Sequence, residues 1–187
     1  MIELYVPDSH IKCSLDNFNW SKNPKIESIV KKCLLNETPW GLFLYGDPGI
    51  GKTHILVGMF KSFVDKGFSI GLDVMYVQWS ALITEINGGL SRGILPELIV
   101  DRITGVKVLI IDDVRPSGGR VWNDVLKGIV EKMYDKQGKL IFSANVEGIK
   151  DMVSKWNLED YWISRLKSEV KFVNMMGQDK RKLRRNV

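Results

Sequence analysis

The sequence predicts an α/β domain in which helices flank a parallel β-sheet. Four short apolar segments bounded by turn residues have the composition of buried parallel strands, at residues 41–46, 71–78, 107–114 and 138–145. Helical patterns occupy the sequence between them. A glycine-rich loop at residues 46–53, "GDPGIGKT", follows the first apolar segment directly. Strands that alternate with helices favour parallel pairing through right-handed crossovers, with ligands at the carboxyl ends of the strands.

The helices are predicted from apolar residues that recur every three or four positions. The segment after the loop has this spacing and ends at Gly67, and Ser80 is of the type that caps a helix. The predicted helices cover residues 24–35, 52–67, 80–86, 95–103, 121–138 and 160–170.

Length and composition predict a single domain over residues 1–187. The chain is 44% hydrophobic, which is enough for a sizeable core, and its apolar runs are shorter than a membrane span. The first residues do not resemble a signal peptide, so we expect a cytoplasmic protein. Cys13 and Cys33 lack metal-site spacing and are expected to be small core residues.

The net charge of +5 is concentrated at the end of the sequence. Without the basic residues of the tail 180–187, the remaining 22 lysines and arginines match the 22 acidic residues. Either this tail is a solvated terminus, or it contacts a phosphate backbone and makes nucleic acid a partner. The basic residues in question are Lys180, Arg181, Lys182, Arg184 and Arg185.

The loop at residues 46–53 has the complete Gly-x-x-x-x-Gly-Lys-Thr spacing of a phosphate-binding loop. Its glycines allow the backbone to aim N–H groups at phosphate oxygens, and the following helix adds its positive end. Lys52 is expected to reach the β- and γ-phosphates, and the Thr53 hydroxyl to bind Mg²⁺. The predicted ATP-binding residues are Gly46, Asp47, Pro48, Gly49, Ile50, Gly51, Lys52, Thr53 and His54.

Polar residues follow the next predicted strands at the same edge of the sheet. Asp112 ends an apolar strand and is expected to hold the Mg²⁺ shell, while Asp113 orients or deprotonates the attacking water. Asn145 follows the last predicted strand and is either a turn residue or a ligand of the water or γ-phosphate. Arg165 is either a surface arginine paired with Glu169 or a group that neutralises charge on the transferring phosphoryl group.

Together these motifs resemble the AAA+ superfamily, and within it the DnaC/DnaI-type helicase loaders and the IstB-type transposition ATPases. "PWGLFLYGDPGIGKTHI" is similar to the Walker A region, "VLIIDDV" to Walker B and "IFSANV" to the first sensor. "SLDNFNW" resembles the segment near the adenine, "ISRL" the arginine-finger box, and "GQDKR" the closing motif. The resemblance implies a P-loop core without a C-terminal helical lid.

The resemblance also implies roles for individual residues. Asp113 takes the place of the usual Walker B glutamate, Asn145 is the first sensor, and Arg165 acts in trans on the ATP of a neighbouring chain. It implies an ATPase that is weak as a monomer, uses ATP and Mg²⁺, and associates with itself through the ATP interface. Replication proteins of this type bind DNA, so the resemblance implies DNA as a partner, single-stranded rather than duplex, and either a replicative helicase or a transposase as the protein partner.

Three alternatives remain open from the sequence. A transposition helper would bind duplex DNA and hand it to a transposase, and a non-hydrolysing adaptor would use ATP only as a structural ligand. A small-molecule kinase is disfavoured by the "ISRL" box near the end of the sequence. Arg92, in a glycine-rich break, is either a DNA contact or a solvated loop residue.

Overall fold

The fold is a five-stranded parallel sheet with helices on both faces. The computed structural model describes residues 6–35, 41–115 and 120–177. The strands are β1 (Gly41–Tyr45), β2 (Val74–Gln78), β3 (Val108–Asp112), β4 (Lys139–Ala144) and β5 (Val170–Asn174). They pair in the order β2-β3-β4-β1-β5, every pair being parallel. The α/β class and the four strands expected from the sequence are therefore confirmed.

Seven α-helices connect or flank these strands in the described residues. They are α1 (Pro24–Leu34), α2 (Lys52–Asp65), α3 (Trp79–Leu90), α4 (Pro96–Thr104), α5 (Arg120–Asp135), α6 (Ile149–Trp156) and α7 (Asp160–Glu169). Two short 3₁₀ helices, Asp8–His10 and Trp20–Lys22, precede α1.

Three features of the fold differ from the sequence prediction. Strand β5 was not expected, because it lies at the edge of the sheet, where exposed residues interrupt its apolar run. Helix α6 was missed as well, since it has only eight residues. Helix α3 begins at Trp79 rather than Ser80, and no side chain caps its N-terminus.

The two faces of the sheet belong to two separate hydrophobic clusters. Alternate strand residues, among them Leu44 and Ile110, pack against α1 and α2. The intervening residues, among them Phe43 and Ile111, pack against α3, α4, α5, α6 and α7. Because side chains alternate along a strand, the sheet separates α2 from α7. This separation decides which of the candidate site residues can meet within one chain.

Of the two cysteines expected in the core, only Cys33 is fully buried. Cys33 is fully buried in α1, where burial raises the pKa of its thiol to about 11, whereas Cys13 is partly exposed. No disulfide joins them in the described part of the chain. In the described part of the chain, no helix has the length and apolar character needed to cross a membrane.

Beyond β5 the described chain continues in irregular backbone to Gly177. Met175 N–H donates to the Tyr45 carbonyl at 2.8 Å, and the Asn23 side chain bonds both the carbonyl and the N–H of Met176, at 2.9 and 3.1 Å. These bonds hold the end of the described chain beside the loop that follows β1. No helical lid occurs in the described residues. The tail 180–187 and most of "GQDKR" lie outside them.

Candidate active site

The loop between β1 and α2 has the backbone that a phosphate cradle requires. Gly46, Gly49 and Gly51 have positive φ angles of 133°, 79° and 105°. A Cβ on Gly51 would lie 2.7 Å from the Phe18 ring, so only glycine fits there without a shift. The first N–H bonded inside the helix is that of Ile55, 3.1 Å from the Gly51 carbonyl. The N–H groups of the residues that precede Ile55 in α2 lie at the N-terminal end of this helix, where the helix dipole is positive.

Lys52 places a positive charge inside this loop. Its side chain is buried, and its Nζ donates to the carbonyls of Gly46 and Asp47, both at 2.7 Å. The ammonium group therefore lies against the loop backbone rather than in solvent. The loop thus combines helix N–H groups and an ammonium, and both are donors suited to phosphate oxygens.

His54, the last of the predicted ATP-binding residues, contacts the segment that precedes α1. Its Nε2 lies 2.9 Å from the Ser14 carbonyl and 2.7 Å from Asn17 Oδ1. Its ring also makes an edge contact with Phe18, at 5.1 Å between centroids. The imidazole thus attaches the segment 14–20 to the first turn of α2. This puts "SLDNFNW" against the phosphate loop.

Asp112 is a buried carboxylate at the end of β3, on the same face of the sheet as α2. Only 3% of it is exposed. Its Oδ1 accepts a hydrogen bond from Ser143 Oγ at 2.6 Å, and its Oδ2 accepts one from Tyr76 Oη at 2.9 Å. Burial and the Asp112 charge raise the pKa of the Tyr76 phenol, so this group remains a donor.

Asp113 lies at the carboxyl edge of the sheet with a positive φ of 56°. Its backbone N–H donates to Ser143 Oγ at 2.9 Å, which fixes it next to Asp112. Asn145 Nδ2 donates to its Oδ1 at 2.8 Å. Arg115 donates to the same oxygen from Nε at 3.0 Å and lies 2.6 Å from Oδ2 through Nη2. The structure thus brings Asp112, Asp113 and Asn145 together.

Arg165 lies away from this group. Helix α7 joins β5 at Val170, which pairs with Gly41, whereas the phosphate loop leaves the opposite end of β1. Arg165 is one third exposed on the face of the sheet opposite to α2. Its guanidinium lies over the rings of Tyr161 and Tyr134, at 4.5 and 5.4 Å from their centroids.

Arg165 has an ionic partner on α5 that the sequence analysis did not consider. Its Nη1 lies 3.8 Å from Glu131 Oε1, a residue of α5. The side chain of Glu169 lies outside the described residues. Arg165 therefore contacts residues of α5 and α7. In the described part of the chain, its ion pair and ring contacts do not involve the phosphate loop of its own chain.

Among the candidate DNA-binding residues, Arg92 belongs to the described part of the chain. Arg92 is exposed in the turn between α3 and α4, where its N–H donates to the Gly89 carbonyl. Helix α3 begins at the carboxyl edge of the sheet, and its 12 residues extend about 18 Å from there. The basic tail residues, Lys180, Arg181, Lys182, Arg184 and Arg185, lie outside the described residues.

The residues at the carboxyl edge fit a magnesium ion that arrives with a nucleotide. No described basic side chain forms an ion pair with Asp112, although this carboxylate is almost fully buried. A buried charge without a counter-ion is costly. The described chain has no cluster of three acidic, histidine or cysteine ligands. Mg²⁺ fits such a site, because it takes one or two protein oxygens together with phosphate and water, and Asp112 and Thr53 would supply the protein oxygens.

Three contributors to the site were not identified in the sequence. Tyr76 and Ser143 hold Asp112 from the two neighbouring strands, and Arg115 holds Asp113. Ser143 stands two residues before Asn145. Because side chains two positions apart in a strand lie on the same face, the alternation of β4 could have indicated Ser143 as a further polar residue of the site. No sequence signal marks Tyr76, because its contact depends on the register between β2 and β3, in which Gln78 pairs with Asp112.

These elements define a P-loop nucleotide-binding core of the AAA+ class. The phosphate loop, the buried Asp112 and the Asp113–Asn145 pair meet at one edge of a parallel sheet in the order β2-β3-β4-β1-β5. The sequence model of the bacterial DnaA ATPase domain matches residues 14–172, which is most of the chain. The chain therefore belongs to the bacterial DnaA ATPase domain family.

Solved structures share this fold at low sequence identity. The DnaC helicase loader superposes with a TM-score of 0.74 at 17% identity, over 91% of this chain and all of that one. A primosome component from Streptococcus pyogenes gives 0.72 at 22% identity, over 93% and 91% of the two chains. Replication initiator DnaA bound to AMPPCP and single-stranded DNA gives 0.73 at 21% identity, over 97% and 56%.

The extent of these matches differs between the two groups of relatives. The chain spans little more than half the length of the two DnaA structures that contain AMPPCP, and nearly the whole length of the loader-type structures. No curated protein sequence matches the chain. The AAA+ resemblance and its link to loader-type proteins are confirmed at the level of fold.

Replacing Lys52 with alanine is expected to weaken ATP–Mg²⁺ binding at least about tenfold, because the phosphates lose a charged donor worth about 1.5–3 kcal/mol. Titration calorimetry measures this effect. Lys61→Ala in the same helix is the matched control, since Lys61 contacts the Ile11 carbonyl and not the loop. Wild-type affinity in Lys52→Ala would show that the loop does not bind the phosphate chain.

Proposed function

We propose that the protein is an ATP-dependent DNA replication factor that hydrolyses ATP with Mg²⁺ and binds single-stranded DNA. The observation that carries this proposal is the meeting of the phosphate loop with Asp112, Asp113 and Asn145 at one edge of the sheet. The DnaA-type family and the fold shared with the DnaC helicase loader support the replication context. The solved DnaA complex with single-stranded DNA supports the choice of DNA.

In the proposed reaction, Asp113 accepts a proton from a water whose oxygen bonds to the γ-phosphorus. The bond from this phosphorus to the β–γ bridging oxygen breaks, and ADP leaves. Asn145 orients the water or the γ-phosphate, because its amide already lies against Asp113. Lys52 and the N–H groups of α2 hold the phosphates. Mg²⁺, held by Asp112 and Thr53, supplies neutralisation of the phosphate charge when bound.

We further propose that two chains complete one active site. Arg165 lies on the face opposite to α2, so it cannot serve its own phosphate loop without a rearrangement of the fold. A neighbouring chain can present Arg165 to the γ-phosphate, where a guanidinium stabilises the charge of the transition state. ATP bound between chains then acts as an assembly switch, and hydrolysis releases the assembly from DNA.

The proposal is tested by the ATPase rate as a function of protein concentration, with no DNA, a single-stranded oligonucleotide, or the matching duplex. The rate per chain is expected to rise with concentration and to rise further with single-stranded DNA, because both bring chains together. Greater stimulation by the duplex would favour the transposition helper. ATP-dependent assembly without turnover would favour the adaptor. A rate independent of both concentration and DNA would contradict the proposal.

Deleting residues 180–187 tests the DNA-binding part. The slope of log affinity against log salt is expected to fall by about 0.7 for each phosphate of a single strand that the tail neutralises, since binding each phosphate releases counterions. Fluorescence anisotropy at several salt concentrations measures the slope. A Lys31→Gln/Lys32→Gln variant on α1 is the control for removal of positive charge elsewhere. An unchanged slope after the deletion would make the tail a solvated terminus.

A further inference from the structure

We infer that Tyr161 and Tyr134 position Arg165 for action on a neighbouring chain. The two rings hold its guanidinium at the surface and leave its N–H groups available for phosphate oxygens. The inference rests on the proposed function, in which Arg165 acts on the ATP of a second chain, and it adds the residues that place this arginine. Tyr161 and Tyr134 are positioning residues, since they act through Arg165 and not on the substrate.

The two tyrosines reach the guanidinium from two different helices. Tyr161 stands four residues before Arg165 in α7, so the two side chains share one face of the helix. Tyr134 belongs to α5. The ring centroids of Tyr161 and Tyr134 lie 4.5 and 5.4 Å from the central carbon of the guanidinium, within the distance of about 6 Å at which a ring attracts a cation. Contacts from two helices therefore limit the positions that this long side chain adopts.

The N–H donors of the Arg165 guanidinium remain available. An arginine side chain carries five such donors. In the described part of the chain, the nearest carboxylate is that of Glu131, and its distance of 3.8 Å from Nη1 is longer than a hydrogen bond. Arg102 differs, because its Nη2 donates to Glu85 Oε1. Aromatic rings attract the cation without offering an oxygen acceptor, so Arg165 keeps its N–H groups for an oxyanion.

The rings around Arg165 are exposed to solvent. Tyr161 and Tyr134 are 54% and 38% exposed, whereas the other phenylalanine, tyrosine and tryptophan residues with a described burial are buried or partly buried. Tyrosine and arginine are enriched in protein interfaces, where their side chains form the strongest contacts. We call the surface formed by Arg165, Tyr161, Tyr134 and Glu131 the Arg165 surface. Its composition is typical of a surface that another molecule covers.

The partner that fits the Arg165 surface is a second copy of this chain with ATP in its phosphate loop. The triphosphate is strongly negative, and the guanidinium offers it a positive charge with free N–H donors. The loop of the same chain is out of reach, since it leaves the opposite end of β1 and lies with α2 on the other face of the sheet. Glu131 is a loose counter-ion that phosphate oxygens can replace.

The test is steady-state ATP hydrolysis by the full chain at a concentration where the wild type associates. Tyr161→Leu is expected to reduce kcat about two- to fivefold with KM for ATP unchanged, because fewer guanidinium groups are correctly placed and the chain's own loop is untouched. Tyr134→Leu is expected to act in the same direction but less, since its ring is farther away. Tyr161→Phe is expected to restore the wild-type kcat, because a phenylalanine ring also attracts the cation.

Leu72→Ala is the matched control for removal of an exposed apolar side chain, since Leu72 is 77% exposed in the turn before β2. It is expected to keep the wild-type rate. Tyr161 is at the surface, so the leucine variant is expected to fold, which a thermal melt verifies.

A mixing experiment shows whether the ring acts on the neighbouring chain. With an excess of Lys52→Ala chains, each Tyr161→Leu chain has an intact loop that faces an intact Arg165 surface, so its turnover is expected to rise towards that of the wild type. The same excess of a Lys52→Ala/Tyr161→Leu double variant is expected to give no rise. An equal effect of the two would mean that Tyr161 supports only the fold of its own chain, and it would overturn the inference.

The outcomes separate this inference from the proposed function. If the wild type hydrolyses ATP and Tyr161→Leu is equal or faster, or if Tyr161→Phe is as slow as Tyr161→Leu, the positioning role is wrong and the ATPase stands. If Arg165→Ala keeps the wild-type rate, the positioning role is wrong as well.

Assembly provides a readout that does not require turnover. If the wild type associates with ATP but does not hydrolyse it, the ATPase proposal fails. Sedimentation velocity then tests the positioning role: the concentration for half association is expected to be about two- to fivefold higher in Tyr161→Leu, and an unchanged value would contradict it. If the wild type neither hydrolyses ATP nor associates with it, the action between chains and the positioning role fall together.

Discussion

Replacing Arg165 with alanine is expected to reduce ATP turnover by about 10³–10⁵-fold while ATP binding stays close to wild type, because an arginine that stabilises the transferring phosphoryl group contributes about that factor. Binding is expected to be preserved because the proposed phosphate-binding groups, Lys52 and the N–H groups of α2, belong to the same chain as the loop. Steady-state hydrolysis and titration calorimetry on the same preparation measure the two effects.

The packing of Arg165 dictates the controls. Its guanidinium lies over Tyr161 and Tyr134, and such contacts are worth about 0.5–1 kcal/mol at exposed sites. Arg165→Ala is therefore expected to fold, with a small decrease of stability visible in a thermal melt. Lys167→Ala, two residues along the same helix, is the matched control for removal of an exposed positive charge. It is expected to keep wild-type turnover.

A mixing experiment distinguishes action between chains from action within one chain. Arg165→Ala and Lys52→Ala are each expected to be inactive. In a mixed assembly, some interfaces combine an intact loop from one chain with an intact Arg165 from the other, so partial activity is expected to return. If the mixture stays inactive although both variants assemble, or if dilute wild-type monomer hydrolyses ATP at the full rate, the site is complete within one chain.

Replacing Asp113 with asparagine is expected to slow hydrolysis by about 10²–10⁴-fold, the usual contribution of a positioned general base, with ATP binding retained. Asparagine is the suitable substitution, because the backbone at residue 113 has a φ of 56° and asparagine accepts this left-handed conformation. The amide also keeps an oxygen that can accept from Asn145. An alanine variant would add backbone strain to the removal of the carboxylate.

Asp112→Asn is the companion variant that separates metal binding from proton transfer. Asp112 is buried between Ser143 and Tyr76, and its charge has no described ionic partner. Its replacement is expected to weaken Mg²⁺-dependent ATP binding as well as turnover, which binding assays with and without Mg²⁺ measure. If Asp113→Asn hydrolyses ATP at the wild-type rate, Asp113 is not the base.

Local sequence patterns determined much of the fold. The four buried strands are continuous apolar runs. Such runs are typical of a parallel sheet, because both of its faces are covered by helices. The phosphate loop is a contiguous motif, so its glycines and Lys52 were identified without knowledge of the tertiary structure. Strand β5 escaped prediction because it lies at the edge of the sheet, where its exposed Lys171 and Asn174 interrupt the apolar pattern.

The sequence by itself determined the class of fold, the phosphate loop and the polar residues at the strand ends, because each depends on neighbours along the chain. Only the tertiary structure decided which of these residues meet. The register between β2, β3 and β4 puts the Tyr76 and Ser143 hydroxyls on Asp112, and the turn after β3 brings Arg115 back to Asp113. The order of the strands places Arg165 on the face opposite to α2. Tyr76 and Ser143 lie 36 and 31 positions from Asp112 in the sequence, so no local pattern encodes their contacts with it.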